Sequence, residues 1–407
     1  MLPAVQVHSF KVHAFMTYRP GRHFLQIPGP SNVPDRILHA TAMPTMDHRG
    51  PTFAALGHEV LTGIRRIFQT DQPVIIYPSS GTGAWEAALV NTLNPGDAVL
   101  MAETGQFAAL WNDLATKIGF KPQYIAGDWR RGVVPSQIED ALRADADRKI
   151  KAVCIVHNET STGTTSKVAR VREAIDAAGH PTLLMVDTVS GLGSIDYRHQ
   201  EWGVDVTVSG SQKGLMLPPG LGFNAISEKA LAAHKTSKFP RSYWDWSNML
   251  AANAGGSFPF TPATNLLYGL KEAIAMLEEE GLPNVFARHH RLAEAARRCV
   301  TAWGLDIQCV VPDERSDIVT TVRMPEGHSG DAFRKVALER FDVSLGSGLG
   351  RIADKVFRIG HLGDFNESML MGTLADVEMG LAVAGVPHDK GGIDAAMSWL
   401  TGNAGPL

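Results

Sequence analysis

Short apolar runs bounded by turn residues alternate with stretches of helical periodicity along most of this chain. Runs at 73–77, 98–102, 151–157, 182–187 and 204–208 have the length and composition of buried strands. Between them the spacing predicts helices over 84–94, 105–118, 136–145 and 167–178. Strands that are apolar on both faces and separated by helices predict a mainly parallel sheet covered on both sides. From 264 the pattern changes to long helices, 264–280 and 283–303, broken at Gly281-Leu282-Pro283, where a glycine stop meets a proline start. Strand-like segments at 318–323 and 356–360 and helices at 330–341 and 366–384 follow. The expected organisation is an N-terminal arm (1–34), a large α/β domain (35–282) and a smaller C-terminal α+β domain (283–407).

Composition narrows the class. With 407 residues, 44% of them hydrophobic and 20% charged, the chain reads as globular rather than disordered, fibrous or disulfide-stapled. Lys and Arg number 38 against 42 Asp and Glu, and a formal charge of -4 offers no field for nucleic acid or an anionic membrane. Anion binding must therefore be local and directional. No run approaches 18 apolar residues, and Gln6, His8, Lys11 and His13 interrupt the first twenty, so neither an anchor nor a signal peptide is expected. Gly405-Pro406-Leu407 is not a peroxisomal tripeptide. Cys154, Cys299 and Cys309 are scattered, as in a reducing compartment, and cytoplasm is the expected location. His157 and the pair His289-His290 lack metal-ligand spacing, so no metal is expected.

In open α/β sheets ligands bind beyond the carboxyl ends of the strands, which directs attention to four places. Pro78-Ser79-Ser80-Gly81-Thr82-Gly83 lies between a strand and a helix. It reads either as a capped helix after a tight turn or as a phosphate cup, since a helix start offers unpaired N–H groups at the positive end of its dipole. Asp187 closes the run Leu183-Leu184-Met185-Val186 and serves either as a turn residue or as a counter-charge to a cationic ring nitrogen. Lys213, in Gly210-Ser211-Gln212-Lys213-Gly214, is either a structural lysine bonded to loop carbonyls or a desolvated amine able to form a Schiff base with an aldehyde. Arg358, inside an apolar strand, either forms a salt bridge between domains or binds a carboxylate with its planar fork. Together they are the parts needed to hold pyridoxal phosphate and an amino acid.

With these segments in view, the chain resembles the serine-glyoxylate and alanine-glyoxylate aminotransferases, class V of the fold-type I pyridoxal-phosphate enzymes, from about Gly21 to Ala384. The likeness is carried by Ile27-Pro28-Gly29-Pro30, Ser80 to Glu86, Val156-His157-Asn158-Glu159-Thr160, Val186-Asp187, Gly210 to Gly214, and Phe357-Arg358-Ile359-Gly360-His361-Leu362-Gly363. It implies a mainly parallel, seven-stranded-type sheet with a smaller C-terminal domain. By resemblance, Lys213 carries the cofactor and shuttles a proton, and Asp187 pairs with the pyridinium nitrogen. Phe107 and Val189 flank the ring, Thr160 lies near its hydroxyl, and Ser80, Gly81, Thr82 and Gln212 hold the phosphate. Arg358 takes the substrate carboxylate, and Gly29 lines the substrate side. Thr261 reaches the phosphate of a neighbouring subunit, which implies a homodimer with shared active sites.

The implied reaction moves an amino group from a small amino acid to glyoxylate by a ping-pong mechanism, leaving glycine and an oxo acid. Serine is the first donor expected, with aspartate and alanine as alternatives and pyruvate as an alternative to glyoxylate; Arg49, next to His48, is a candidate contact for a second carboxylate. Phe258 and Phe260 stand where relatives often carry Tyr or Trp, and Asp187-Thr188-Val189-Ser190-Gly191 departs from the commoner Asp-Gly-Val-Ser-Ser. A cysteine desulfurase would need a mobile loop cysteine, for which only Cys309 is available. A cofactor-binding regulator would need a DNA-binding module, and no basic segment is left over for one.

Overall fold

In the computed structural model, which describes residues 20–404, the chain enters through a short strand, β1 (Phe24–Gln26), and two helices, α1 (Asp35–Thr41) and α2 (Pro51–Phe68). There follow β2 (Val74–Pro78), α3 (Gly81–Thr92), β3 (Ala98–Ala102), α4 (Gln106–Lys117), β4 (Lys121–Ile125), α5 (Pro135–Ala144) and β5 (Ile150–Val156). A small ladder, β6 (Asn158–Glu159) with β7 (Thr164–Thr165), leads to α6 (Val168–Ala177), β8 (Leu183–Asp187), β9 (Val206–Gly210) and β10 (Leu221–Ile226). Four helices come next: α7 (Glu228–Thr236), α8 (Trp246–Asn253), α9 (Thr264–Glu280) and α10 (Leu282–Ala302). The chain closes with β11 (Val319–Arg323), α11 (Gly330–Phe341), β12 (Val343–Ser347), β13 (Val356–Gly360), α12 (Glu367–Val383) and α13 (Gly392–Gly402). Residues 1–19 of the expected arm, the signal-peptide reading and the C-terminal tripeptide lie outside the described residues.

Seven strands form one sheet in the order β2-β10-β9-β8-β5-β3-β4, parallel except for β10, which runs antiparallel to both of its neighbours. Successive side chains of a strand point to opposite faces. Leu100, Val153, Ile155, Leu184 and Val186 accordingly pack against α2, α6 and α9 through Val60, Ile64, Val171, Ile175 and Leu270. Val99, Met101, Ala152, Cys154 and Met185 pack on the other face with Trp85 and Trp111 of α3 and α4. Each fully buried aliphatic side chain of this kind contributes about 1.5–3 kcal/mol relative to exposure. Because β4 lies on one side of β3 while β5 and its successors lie on the other, the strand order reverses between β3 and β5. That reversal opens a crevice at the carboxyl rim.

A second sheet, β1-β12-β13-β11, is covered by α10, α11, α12 and α13 through Leu292, Phe333, Leu370, Leu374 and Leu400. Its β1 comes from the start of the chain and pairs in parallel with β12.

The apolar pattern marks β2, β3, β5, β8, β11 and β13 to within a residue or two, whereas β9 lies two residues later than expected, at Val206–Gly210. Strand β4 was hidden because it is an edge strand, Lys-Pro-Gln-Tyr-Ile, with no residue fully buried. Strand β10 is wholly buried, but Gly222 and Asn224 interrupt its apolar run. Helix α2 carried a usable signal in a proline at its start and Phe53, Leu56, Val60, Ile64 and Ile67 along one face.

Candidate active site

The phosphate-cup segment occupies the turn from β2 into α3. Ser80 is the N-cap residue, and its side chain makes no capping bond, so the first N–H groups of α3 carry no side-chain partner from the cap. Neighbouring side chains press close on Gly81 at this turn and on Gly210 at the end of β9. A Cβ on Gly81 would come within 2.5 Å of Val189 Cγ2, and one on Gly210 within 3.1 Å of Gln212 Oε1. Gln212 Oε1 is buried without a hydrogen-bond partner among the described residues.

Asp187 ends β8 and is buried. Its Oδ1 accepts from Val189 N at 2.7 Å and its Oδ2 from the Trp85 indole at 2.9 Å. Burial pushes its pKa up to about 7, and the Glu159 charge adds to the rise; the two donors and the Lys213 cation oppose it. A carboxylate in this setting favours a cation that would restore its ionised form.

Lys213 lies three residues beyond β9 on a turn closed by Met216 N donating to Lys213 O at 2.9 Å. Its Nζ donates to Pro28 O at 2.6 Å. The Pro28–Ser31 segment is fastened to this turn in return: Ser31 N donates to Gln212 O at 3.0 Å and Ser31 Oγ to Lys213 O at 2.8 Å. Gly29, at φ +103°, has no room for a side chain, since a Cβ would fall 2.4 Å from Lys213 Nζ. Burial, with the nearby Arg358 charge, lowers the Lys213 pKa to about 8, against a smaller opposing pull from Asp187. A substantial fraction of the amine is therefore neutral near physiological pH, the form that attacks a carbonyl.

Thr160, just past β6, donates from Oγ1 to Ser190 Oγ at 2.8 Å, and Asn158 Nδ2 donates to the same oxygen at 2.9 Å. Phe107 stands in the first turn of α4, whose start is held by the buried Glu159 carboxylate. That carboxylate accepts from Phe107 N and Ala108 N at 3.1–3.3 Å and from Ser161 Oγ at 2.6 Å. Burial raises the Glu159 pKa, and these donors oppose the rise, as expected for an anion at a helix N-terminus.

Arg358 is the central residue of β13 and is buried. Its Nε donates to Ser347 O at 2.8 Å and its Nη1 to Thr160 O at 2.9 Å. No carboxylate forms a salt bridge with it among the described residues, although Glu159 is near enough to oppose the lowering of its pKa to about 10 by burial. It stays charged at neutral pH.

Ser80, Gly81, Thr82, Phe107, Thr160, Asp187, Val189, Gln212 and Lys213 line one cavity of about 140 Å³, together with Trp85, Val156, Asn158 and Ser190. Gly29 and Arg358 adjoin it through Lys213 and Thr160. Arg49 and Thr261 are exposed and do not line it. Phe260 stacks on Tyr243 at 4.8 Å, and Phe258 meets Phe53 edge-on at 6.1 Å. Cys309 is buried, as are Cys154 and Cys299.

The donor set suits pyridoxal phosphate: an uncapped helix start for the phosphate, a buried carboxylate for the ring nitrogen and a neutral-capable amine for the aldehyde. Sequence reasoning missed Trp85, Asn158, Ser190 and Glu159 as contributors, although each lies in or beside a segment already singled out.

A family model described as aminotransferase class-V matches residues 29–360. The chain is 47% identical to a serine–glyoxylate aminotransferase of Methylorubrum extorquens, covering 95% of this chain and 98% of that one. It is 45% identical to an L-aspartate–glyoxylate aminotransferase of Paracoccus denitrificans, over 91% and 94%. Among solved structures, the ureidoglycine-glyoxylate aminotransferase of Bacillus subtilis superposes with a TM-score of 0.86 at 25% identity, covering 95% and 100%.

Proposed function

The chain belongs to the class-V aminotransferase family, and on that premise we propose that it is a pyridoxal-phosphate enzyme that transfers the amino group of a small L-amino acid, serine first, to glyoxylate. The observation that carries this reading is the convergence of Lys213, Asp187 and the uncapped start of α3 on one cavity. When bound, pyridoxal phosphate supplies an aldehyde carbon and an electron-withdrawing ring.

The α3 N–H groups, Ser80, Thr82 and Gln212 would hold the phosphate. Asp187 would keep a proton on the ring nitrogen, Val189 and Phe107 would bracket the ring, and Thr160 would meet its hydroxyl. Lys213 would hold the cofactor through its amine, and that amine would take the proton from the donor's Cα and return a proton in the second half-reaction, when glyoxylate becomes glycine. Arg358 orients the substrate through its α-carboxylate, and the Gly29 backbone closes the substrate side. The exposed Thr261 would reach the phosphate of a second copy, in a homodimer with shared sites. Three buried free thiols suit a reducing compartment, and we assign the protein to the cytoplasm on that ground.

An aspartate donor is the second reading. It is favoured by the aspartate–glyoxylate relative and by Arg49, a solvent-facing cation available to a distal carboxylate. Ranking serine, aspartate, alanine and asparagine by kcat/KM against glyoxylate separates the two. Serine should lead, with Arg49→Ala leaving its rank unchanged. An aspartate lead that Arg49→Ala selectively abolishes would establish the second reading, and turnover with none of the four would refute both.

A further inference from the structure

We infer that Trp85 is a positioning residue for the cofactor: its indole N–H fixes the plane of the Asp187 carboxylate and favours its ionised form, which is the form that holds a protonated ring nitrogen. The inference rests on the pyridoxal-phosphate reading of the cavity.

The geometry is specific. Trp85 lies one turn into α3, so the helix whose start would hold the phosphate also carries the indole against Asp187 Oδ2 at 2.9 Å. The other oxygen, Oδ1, is taken by Val189 N at 2.7 Å. Indole and backbone N–H groups donate only, and a donor aimed at each oxygen suits an ionised, acceptor-only carboxylate better than a protonated one, which must itself donate. Both side chains are almost fully buried, so these bonds act with little screening by water.

Two features keep the indole in place. Trp85 stacks on Trp111 with ring centroids 5.7 Å apart and planes within 10°. Trp111 is itself fully buried at the centre of the layer covering that face of the large sheet. The stack sets the ring plane and leaves the N–H edge directed at Asp187. Phenylalanine at 85 keeps an aromatic ring against Trp111 while deleting the N–H donor.

The balance at Asp187 explains why one bond matters. Burial and the Glu159 charge favour its neutral form, and the donors and Lys213 favour the anion. Burial outweighs the donors and raises the Asp187 pKa to about 7, and the indole N–H is one of the contacts that hold this rise in check.

The test compares pyridoxal phosphate with its 1-deaza analogue, in which carbon replaces the ring nitrogen, as ligands of the wild-type, Trp85→Phe and Trp111→Phe apoproteins. Trp85→Phe should weaken pyridoxal phosphate binding about 10- to 100-fold, the range for losing a hydrogen bond to a charged group, and the deaza analogue by no more than about twofold. Trp111→Phe, which disturbs the stack without removing the donor, should leave the ratio of the two affinities near its wild-type value. Equal weakening of both ligands by Trp85→Phe, or of neither, overturns the inference and leaves the cofactor reading intact. A wild-type protein that binds neither ligand overturns the cofactor reading itself. Should Trp85→Phe fold poorly, the indole N–H resonance of Trp85 in the wild-type apoprotein gives the second readout. It should move as pH crosses the Asp187 titration and stop moving in Asp187→Asn; a pH-invariant resonance contradicts the inference.

Discussion

The rim of the large sheet and the second sheet contribute to the site by different means. At the rim, Asp187 is the last residue of β8, Lys213 lies three residues beyond β9 and Ser80 immediately precedes α3. Asp187 is fixed in part by Val189, two residues away, and the Lys213 turn by Met216, three residues away. Arg358 is mid-strand in β13, and its Nη1 meets the site through the carbonyl of Thr160.

The placement of Arg358 depends on docking. A Cβ on Gly350 would lie 2.0 Å from Gln106 Oε1, next to Phe107. Arg351 joins the second sheet to the large one by an ion pair with the buried Glu103 at 2.7 Å, and Trp129 donates to the same carboxylate at 3.0 Å. The proposed cofactor side is thus a property of strand ends, and the proposed substrate side a property of how two layers meet. Disturbing the second sheet should change substrate affinity while leaving cofactor affinity alone.

Arg358→Lys breaks the comparison hardest. Losing the planar fork should lower kcat/KM by about 10- to 100-fold, mainly through KM, with the pyridoxal phosphate dissociation constant unchanged. Steady-state kinetics beside a cofactor titration checks this, and parallel losses in both would mean that the two regions are one unit. A smaller effect is expected for Arg351→Gln. Its side chain is 61% exposed and screened by water, and the buried Glu103 carboxylate keeps its bonds from the Trp129 indole and Gly127 N when the guanidinium is removed. The substitution should raise KM by less than about fivefold and leave cofactor affinity untouched.

The same division decides what the sequence reveals. Asp187 and Lys213 are legible because a residue closing an apolar run, or crowded among glycines just past one, is marked by its chain neighbours alone. The bond from Trp85 to Asp187 spans 102 positions, and the ion pair from Arg351 to Glu103 joins residues still farther apart in the chain, so no local pattern records either. Glu159 is hidden for a related reason, since it holds the start of α4 from some fifty positions away. In the fold, strands buried on both faces announce themselves by unbroken hydrophobicity. The edge strand β4 and the glycine- and asparagine-containing β10 do not, because their places are assigned by neighbours on either side.

Everything proposed for the cavity turns on Lys213 as the residue that carries the cofactor. Incubating the protein with pyridoxal phosphate, reducing with borohydride and mapping the product by peptide mass tests it directly. One phosphopyridoxyl group should appear on the peptide containing Lys213. Lys213→Ala should take up none there and lose about a hundred- to ten-thousandfold in transamination rate, the range for removing a general base. Label spread over exposed lysines such as Lys149, or undiminished activity in Lys213→Ala, would contradict the account.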